Sequence, residues 1–314
     1  MIAAYAEKLG LPEPLDGLRV GERPEPDPPA GWEVVEVRAA SLNHHDLWTL
    51  KGVVGVPFEP PVILGCDAAG VDSTGREVVV HAVVAEGEDF RMLTDGIDGS
   101  FAPLLAVPSR NLVPKPLSLS FEEATCLPTA WLTAWRMLFT KARLQPGQRV
   151  LVQGATGGVS TAAVMLAAAA GIHVTVTSRR EEALDQARQL GAHEAIPTGQ
   201  RLAERVDAVI ETVGKATWGH SLKSVVNGGR VVVAGTTSGA DPSADLGRVF
   251  WREIEVLGSM MGTLAELRKL CAFVEHAGIR PPVSQVYDGI EAVPEALAAL
   301  DRGEQFGKLV VRVA

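Results

Sequence analysis

Cysteine is scarce in this sequence. The three cysteines, Cys66, Cys126 and Cys271, are odd in number and lie far apart along the 314-residue chain. Disulfide frameworks and four-cysteine zinc clusters need more cysteines at closer, paired spacings, so both are excluded. A reducing compartment such as the cytoplasm is therefore expected.

The sequence also lacks an excess of basic residues and any long apolar run. Lys and Arg number 29 against 38 Asp and Glu, which gives a formal net charge of −9 at pH 7. The positive patch of a nucleic-acid-binding protein is thus missing. Apolar stretches such as residues 162–170 are far shorter than the roughly 20 residues that cross a bilayer. We expect a soluble, cytoplasmic protein that binds neither nucleic acid nor membrane.

The pattern of residues along the chain changes near residue 120. Before this point proline and glycine separate short β-type runs, which lie at 33–38, 62–64, 77–83 and 101–107. After it, Ser120 can cap a helix that is predicted to continue to about Lys141. The sequence therefore predicts a mostly β domain over residues 1–120.

Apolar runs alternate with helical stretches in the second half of the chain. Strands are predicted at 149–153, 173–177, 207–213, 230–234 and 253–258, and helices at 158–170, 181–190 and 216–226. Such alternation is typical of βαβ units and a parallel sheet, which places a second domain at 121–260. The alternation stops in residues 261–314, and this segment is expected to pack back on the first domain.

A glycine-rich turn joins the first of these strands to the helix after it. The turn consists of Gly154, Ala155, Thr156, Gly157, Gly158 and Val159 and is followed by Ser160. Glycines let the backbone approach phosphates, and the positive end of the helix dipole attracts them. The turn therefore predicts the pyrophosphate site of a dinucleotide. Ser160 replaces the usual third glycine and is small enough to keep helix and sheet close.

The residues at the end of the next strand favour NADP(H) over NAD(H). An NAD-selective fold usually has an Asp or Glu here, whereas this sequence reads Thr177, Ser178, Arg179 and Arg180. Two guanidinium groups and two hydroxyls can hydrogen-bond a 2′-phosphate. The alternative is that the arginines lie on a solvated helix start, where cations are mildly unfavourable.

Several motifs carry a family resemblance along nearly the whole chain. They are residues 38–47, 64–70 and 127–135, the glycine-rich turn, and residues 250–262 and 305–311. On these motifs the sequence is identified as a member of the medium-chain dehydrogenase/reductase superfamily, and it resembles the zinc-independent quinone oxidoreductase branch. The resemblance implies an α/β protein in which a GroES-like domain, residues 1–120 and 261–314, is split by a doubly wound Rossmann domain. The active-site cleft is implied to lie between the two.

The resemblance also locates the positions that hold catalytic zinc in related alcohol dehydrogenases. These positions carry Asn43, the neighbours Cys66 and Asp67, and Thr129, so only two of them could ligate zinc. NADP(H) without a metal is therefore expected. An alternative three-ligand set would combine Cys66 and Asp67 with His44 or His45.

Other site residues follow from the resemblance alone. Asn43 is implied to lie by the nicotinamide and to donate a hydrogen bond to the substrate oxygen. Asp46, the other residue of the catalytic set, is expected to order that loop. Further residues implied to lie near the cofactor are Thr133, Gly235 and Thr236. The implied substrate pocket consists of His44, Trp48, Val54, Trp251, Ser259 and Met260. For Trp251, a place in the core is the alternative.

These features favour an NADPH-dependent reductase of quinones or α,β-unsaturated carbonyls that acts without catalytic zinc. One alternative is a zinc-dependent alcohol dehydrogenase with atypical ligands, and another is a non-catalytic NADPH-binding sensor or structural protein. The resemblance further implies a homodimer, formed by edge-to-edge pairing of the strand at 253–258. That strand alternates and then turns apolar, as expected of an edge that needs cover.

Overall fold

The computed structural model describes residues 1–53, 57–85 and 90–313. The chain forms two compact units. Unit 1 comprises Met1–Thr129 and Thr263–Ala314, and unit 2 comprises Ala130–Gly262. The predicted domain boundaries, after residues 120 and 260, lie slightly before the boundaries of these units.

Unit 1 consists mostly of short strands. Its first stretch contains β1 (Ile2–Ala6), β2 (Leu18–Glu22), β3 (Trp32–Ser41), α1 (His44–Leu50), β4 (Val62–Ile63), β5 (Asp67–Val71), β6 (Glu77–Val80), β7 (Val83–Ala85), β8 (Arg91–Met92), β9 (Leu104–Pro108), β10 (Leu112–Pro114) and α2 (Phe121–Ala124). Unit 2 contains α3 (Leu132–Trp135), β11 (Arg149–Val152), α4 (Gly158–Ala169), β12 (His173–Ser178), α5 (Glu181–Gln189), β13 (Glu194–Pro197), β14 (Val206–Glu211), α6 (Trp218–Ser224), β15 (Val225–Val233), α7 (Leu246–Trp251) and β16 (Glu255–Gly258). The chain then completes unit 1 with α8 (Leu264–Ala277), β17 (Val283–Asp288), α9 (Val293–Arg302) and β18 (Lys308–Arg312).

Three neighbouring strands bring distant polar residues together in unit 1. The main sheet has the order β10-β6-β5-β3-β18-β17, with β9 also paired to β3. β3 runs antiparallel to both β5 and β18, and Ser41 lies opposite Asp67 on one side and Val310 on the other. The end of β3 therefore lies beside the starts of β5 and β18, which places Ser41, Asp67 and Lys308 close to one another. The strands β2-β1-β4 and β7-β8 form smaller sheets.

Unit 2, which is described throughout residues 130–262, contains a six-stranded parallel sheet. Its strand order is β13-β12-β11-β14-β15-β16. The order reverses at β11, so this is the doubly wound arrangement, and its prediction is confirmed. The central strands β11 and β14 are almost wholly buried, as expected where helices cover both faces of a parallel sheet. The carboxyl ends of β12, β11, β14 and β15 lie along one edge.

The helix predicted at 121–141 is wrong as a single element. α2 ends at Ala124, and α3 lies between two π-helical segments, Leu127–Trp131 and Arg136–Lys141. Pro128 has no N–H group to donate to the preceding turn, so a regular α-helix cannot continue through it.

Some elements lack the signals that predicted the others. β1, β2, β13, α1 and α7 were not expected, and apart from the five apolar residues of β1 none of them is a continuous apolar run. β13 has four residues, and α1 has seven. Among the described residues, the structure contains no helix that is long and apolar enough to span a membrane.

Candidate functional site

Asn43 lies at the junction between β3 and α1, and its side chain points into unit 1. The residue is 8% exposed and has an extended backbone that precedes the first turn of the helix. Its Nδ2 donates to Asp67 Oδ2 at 2.7 Å, with the carbonyl oxygen of Ser41 at 3.3 Å and Cys66 Sγ at 3.4 Å. Both amide protons therefore face internal acceptors, which does not fit the expected donation to a substrate oxygen.

Asp46 is fully buried in the first turn of α1. Its Oδ2 accepts from the backbone N–H of Asn43 at 2.8 Å, and its Oδ1 accepts from that of Gly65 at 3.0 Å. Burial raises the pKa of Asp46 to about 7, although these two N–H groups act to lower it. Both oxygens hold backbone groups in place, so Asp46 orders the loop that carries Asn43. Gly65, at φ +91°, leaves no room for a side chain, since an added Cβ would lie 2.5 Å from Ser100 Oγ.

Lys308 is a buried cation that the sequence did not reveal as a site residue. Its Nζ donates to the carbonyl oxygen of Leu42 at 2.5 Å and to Asn43 Oδ1 at 2.7 Å, and it lies 3.5 Å from Asp67 Oδ2. The Asp67 carboxylate is also buried and accepts from Ser41 Oγ at 2.6 Å. Lys308 lies in the motif at 305–311, but a lysine at the start of an apolar strand does not by itself indicate a role in the site.

Cys66 and Thr129 extend this arrangement outward. Cys66 Sγ lies 3.5 Å from Thr129 Oγ1, and Thr129 is half-buried whereas Cys66 is fully buried. Burial, followed by the charge of Asp67, raises the pKa of the Cys66 thiol well above its ordinary value. We call the connected set the polar cluster; its members are Ser41, Asn43, Cys66, Asp67, Thr129 and Lys308.

The outer face of α1 carries two of the residues expected in the substrate pocket. His44 and Trp48 are both exposed and stand one helical turn apart, with ring centroids separated by 6.5 Å. Val54 lies outside the described residues. The Nε2 of His45 lies 3.8 Å from Asp95 Oδ1.

The glycine-rich turn of unit 2 leads from β11 into α4. Gly154 has φ +81°, a conformation that favours glycine, and its N–H donates to Thr177 Oγ1 at 3.2 Å. Gly157 precedes the first turn of α4, where the leading N–H groups have no partner within the helix. Ala155 is buried, while Thr156, Gly158 and Val159 are partly exposed. Ser160, in place of the third glycine, is buried beneath the turn with its Oγ 3.5 Å from Gln153 O.

The four residues expected at a ribose phosphate, 177–180, follow one another at the end of β12. Arg179 and Arg180 are exposed, and Arg180 precedes the first turn of α5. Ser178 is buried, and its Oγ accepts from the backbone N–H of Arg180 at 3.1 Å. Thr177, whose hydroxyl had been expected to face a phosphate, is fully buried and donates to Gln153 Oε1 at 2.8 Å.

A buried hydrogen-bond network supports this edge of the sheet. Gln153 Nε2 donates to Ser221 Oγ at 3.0 Å, and Ser221 Oγ donates to Glu211 Oε2 at 2.6 Å. The Glu211 carboxylate also accepts from the N–H groups of Val213 and Gly214 and from the hydroxyl of Thr217. Glu211 therefore fixes the turn after β14. This network could not be predicted from the sequence, because polar residues at strand ends are common.

The remaining expected residues lie at separate places in unit 2. Gly235 and Thr236 follow β15 at the same sheet edge, and Thr133 is buried in α3. Trp251 is 79% exposed at the end of α7, so its alternative place in the core is wrong. Met260 is 62% exposed, and Ser259 is bound to β15 through its backbone N–H. The structure thus assembles one set of expected residues in each unit.

Comparisons with known proteins identify both halves of this arrangement. Residues 29–117 match the family model of the alcohol dehydrogenase GroES-like domain, and residues 158–276 match that of the zinc-binding dehydrogenase. Together these models cover more than half of the chain. The chain belongs to the medium-chain dehydrogenase/reductase superfamily. Its members are oxidoreductases that use a nicotinamide dinucleotide, so unit 1 is the GroES-like domain and unit 2 the Rossmann domain.

Individual relatives are similar to this chain along almost its whole length. A zinc-type alcohol dehydrogenase-like protein of Schizosaccharomyces pombe is 32% identical over 90% of this chain and 91% of its own. The acryloyl-coenzyme A reductase of Metallosphaera sedula is 27% identical over 94% of this chain and 96% of its own. The crystal structure of an NAD-dependent alcohol dehydrogenase superposes with a TM-score of 0.92 at 32% identity and covers both chains completely.

The polar cluster does not suit the zinc ion after which one of these models is named. The Lys308 ammonium lies 3.5 Å from Asp67 Oδ2, where it would repel a divalent cation. Cys66 must lose its proton to ligate a metal, and burial raises the pKa of its thiol. Within residues 1–53, 57–85 and 90–313, no group of three or more His, Cys, Asp or Glu side chains is arranged to hold a metal. The alternative ligand set with His44 or His45 is therefore not assembled.

The glycine-rich turn, by contrast, suits a dinucleotide. A Cβ added to Gly157 would lie 3.9 Å from its nearest neighbour, so the space before the first turn of α4 is open. The N–H groups of Gly158 and Val159 can bind a pyrophosphate there, and Arg179 and Arg180 can reach a ribose phosphate. A nicotinamide ring, when bound, supplies or accepts a hydride.

Proposed function

We propose that this protein is an NADPH-dependent reductase of α,β-unsaturated carbonyls or quinones and that it acts without catalytic zinc. The observation that carries the proposal is the polar cluster, in which the Lys308 ammonium and the Asp67 carboxylate both bind Asn43, a residue that the resemblance matches to a zinc ligand. Simple alcohols and aldehydes need a Lewis acid or a positioned general acid or base to react at their oxygen. Conjugated acceptors spread the incoming negative charge and need less help.

The preference for NADPH rests on the end of β12. No acidic side chain stands between Thr177 and Arg180, and the two arginines are exposed there. A carboxylate in this place would repel a 2′-phosphate, whereas guanidinium groups bind it through charge-assisted hydrogen bonds. The relative named as an acryloyl-coenzyme A reductase supports a conjugated acceptor in the same superfamily.

The residues of unit 1 divide the work in this proposal. His44 and Trp48 offer an exposed aromatic wall to a flat, conjugated substrate. Asp46 and Gly65 hold the loop on which Asn43 stands. The polar cluster then presents a fixed set of dipoles to the substrate, so little reorganisation is needed as charge develops on its oxygen.

A panel of acceptors tests the proposal. Oxidation of NADPH and of NADH is followed with quinones, enones, enals and saturated aldehydes, before and after treatment with a zinc chelator. We expect turnover with the conjugated acceptors, a preference for NADPH, and no loss of activity with the chelator. Activity confined to saturated aldehydes and lost on chelation would overturn the proposal, and so would tight NADPH binding without turnover of any acceptor.

A further inference from the structure

The orientation of the Asn43 amide is fixed by the charges on either side of it. An ammonium group can only donate, so the atom that faces Lys308 Nζ at 2.7 Å must be the amide oxygen. A carboxylate can only accept, so the atom that faces Asp67 Oδ2 at 2.7 Å must be the amide nitrogen. Asn43 therefore directs its protons towards Asp67, Ser41 O and Cys66 Sγ, and none is left for a ligand.

This orientation sets the direction of the next hydrogen bond. Cys66 Sγ receives an Asn43 proton at 3.4 Å, and it lies 3.5 Å from Thr129 Oγ1. Burial keeps the Cys66 thiol protonated, and the contact with Thr129 Oγ1 allows either atom to donate. Because Cys66 Sγ already accepts from Asn43, the arrangement that gives the thiol proton an acceptor is the one in which the S–H group donates to Thr129 Oγ1. The hydroxyl proton of Thr129 is then free to point elsewhere.

Thr129 is also the point at which the polar cluster reaches the surface. The other five members are between 0% and 8% exposed, whereas Thr129 is half-buried. Within the part of the chain that the structure describes, the Thr129 hydroxyl has Cys66 Sγ as its hydrogen-bond partner. With Cys66 as the donor, the oxygen of the accessible Thr129 hydroxyl accepts a hydrogen bond within the cluster, and the hydroxyl proton remains available to a ligand.

We propose that Thr129 is the catalytic residue that donates a hydrogen bond to the substrate oxygen, and that Lys308 and Asn43 are positioning residues. This inference rests on the proposed function. Hydride addition to the β-carbon of a conjugated carbonyl sends an electron pair to its oxygen, and the dinucleotide is oxidised in the same step. Thr129 stabilises the resulting enolate without losing its proton, and water supplies the proton that completes the saturated product at the α-carbon.

The test compares Thr129→Val with Thr129→Ser. Valine keeps the shape of threonine but has no hydroxyl, whereas serine restores it. We expect Thr129→Val to lower kcat/KM for an enone by about 10- to 1000-fold and to leave the Kd for NADPH unchanged. Thr129→Ser should recover most of the loss. If Thr129→Val keeps kcat/KM within twofold of the wild-type value, Thr129 is not the donor and the inference is overturned.

A vibrational measurement examines the direction of the chain of hydrogen bonds without any substrate. The S–H stretching band of Cys66, assigned by its loss in Cys66→Ala, should move to higher frequency in Thr129→Val, because the thiol loses its acceptor. An unmoved band would overturn the inference even in an active enzyme. A wild-type protein that reduces no acceptor would overturn the proposed function, and the band would still decide the direction of the chain.

Discussion

Arg179 and Arg180 are the residues on which the proposed cofactor preference depends. Each can make a charge-assisted hydrogen bond to a 2′-phosphate, worth about 1.5–3 kcal/mol. We expect the double variant Arg179→Ala/Arg180→Ala to bind NADPH roughly 10- to 100-fold more weakly and NADH almost unchanged. Fluorescence titration with each cofactor measures both effects.

An arginine at the opposite edge of the sheet provides the control for this change. Arg143 precedes β11 and pairs with Glu255 at the start of β16, so it lies away from the glycine-rich turn. Arg143→Ala removes one guanidinium charge from unit 2 and should leave the affinities for NADPH and NADH unchanged. Equal losses for NADPH and NADH in the double variant would refute the assignment of the 2′-phosphate site.

At this scale the sequence reveals some residues of the candidate site and conceals others. The resemblance located four members of the polar cluster, because its motifs match them to zinc-ligand positions: Asn43, Cys66, Asp67 and Thr129. Lys308 lies 265 residues from Asn43, and only the pairing of β18 with β3 brings the two together. The internal hydrogen bonds of Asn43 were not foreseen for the same reason, since the orientation of its amide depends on the ammonium of Lys308.

Helix α1 is short and depends on a buried carboxyl group. Isolated helices of seven residues are not stable, so α1 depends on contacts with the rest of unit 1. The Asp46 carboxyl group provides one such contact, because it accepts from the backbone N–H groups of both Asn43 and Gly65. The pKa of Asp46, about 7, lies above the ordinary value of 3.8, so the folded state retains a proton that the unfolded state releases. The free energy of unfolding therefore falls as the pH rises from about 4 to 7.

The variant Asp46→Asn isolates this effect. It removes the titrating group, so its stability deficit relative to wild type should be largest at pH 4 and shrink by about 4 kcal/mol at pH 8. Urea unfolding at both pH values measures the change, and the exposed Asp16→Asn calibrates the assay. A deficit that stays constant would mean that the two N–H donors keep the Asp46 carboxylate ionised throughout.

The elements of unit 2 were predictable because each strand and helix carries its own pattern. β11, β12 and β14 are apolar runs flanked by amphipathic or alanine-rich helices, and their predicted bounds differ from the structure by one or two residues. β13 has only two apolar positions, Ala195 and Ile196, and gave no signal. The short strands of unit 1 gain their stability from neighbours that are distant in sequence, so local patterns found only some of them.

The whole molecule has an exposed sheet edge, and we propose that it forms a homodimer there. β16 is the outer strand of the sheet in unit 2, and Val256 is 46% exposed. The N–H of Ser259 bonds to Val233 of β15, so by the two-residue period of a strand the N–H groups of Val256 and Gly258 point outward. A second copy can pair with this edge.

Proline at position 256 removes one outward N–H group without disturbing the bonds to β15. We expect Val256→Pro to reduce the mass measured by light scattering from that of a dimer to that of a monomer, while NADPH binding persists. Val256→Thr retains the N–H group and should remain dimeric. A wild-type protein that is monomeric at micromolar concentration would contradict the proposal.

The position of β18 between β3 and β17 in the unit 1 sheet has a consequence for how each new molecule is made. The ribosome synthesises Thr129 before all of unit 2 and Lys308 after it, and at roughly 5–20 residues per second this interval lasts on the order of ten seconds or more. During that time the nascent chain carries Asp67 without the ammonium beside it. Water must remain around this carboxylate until Lys308 has been synthesised. The polar cluster is therefore among the last parts of the enzyme from which water is excluded.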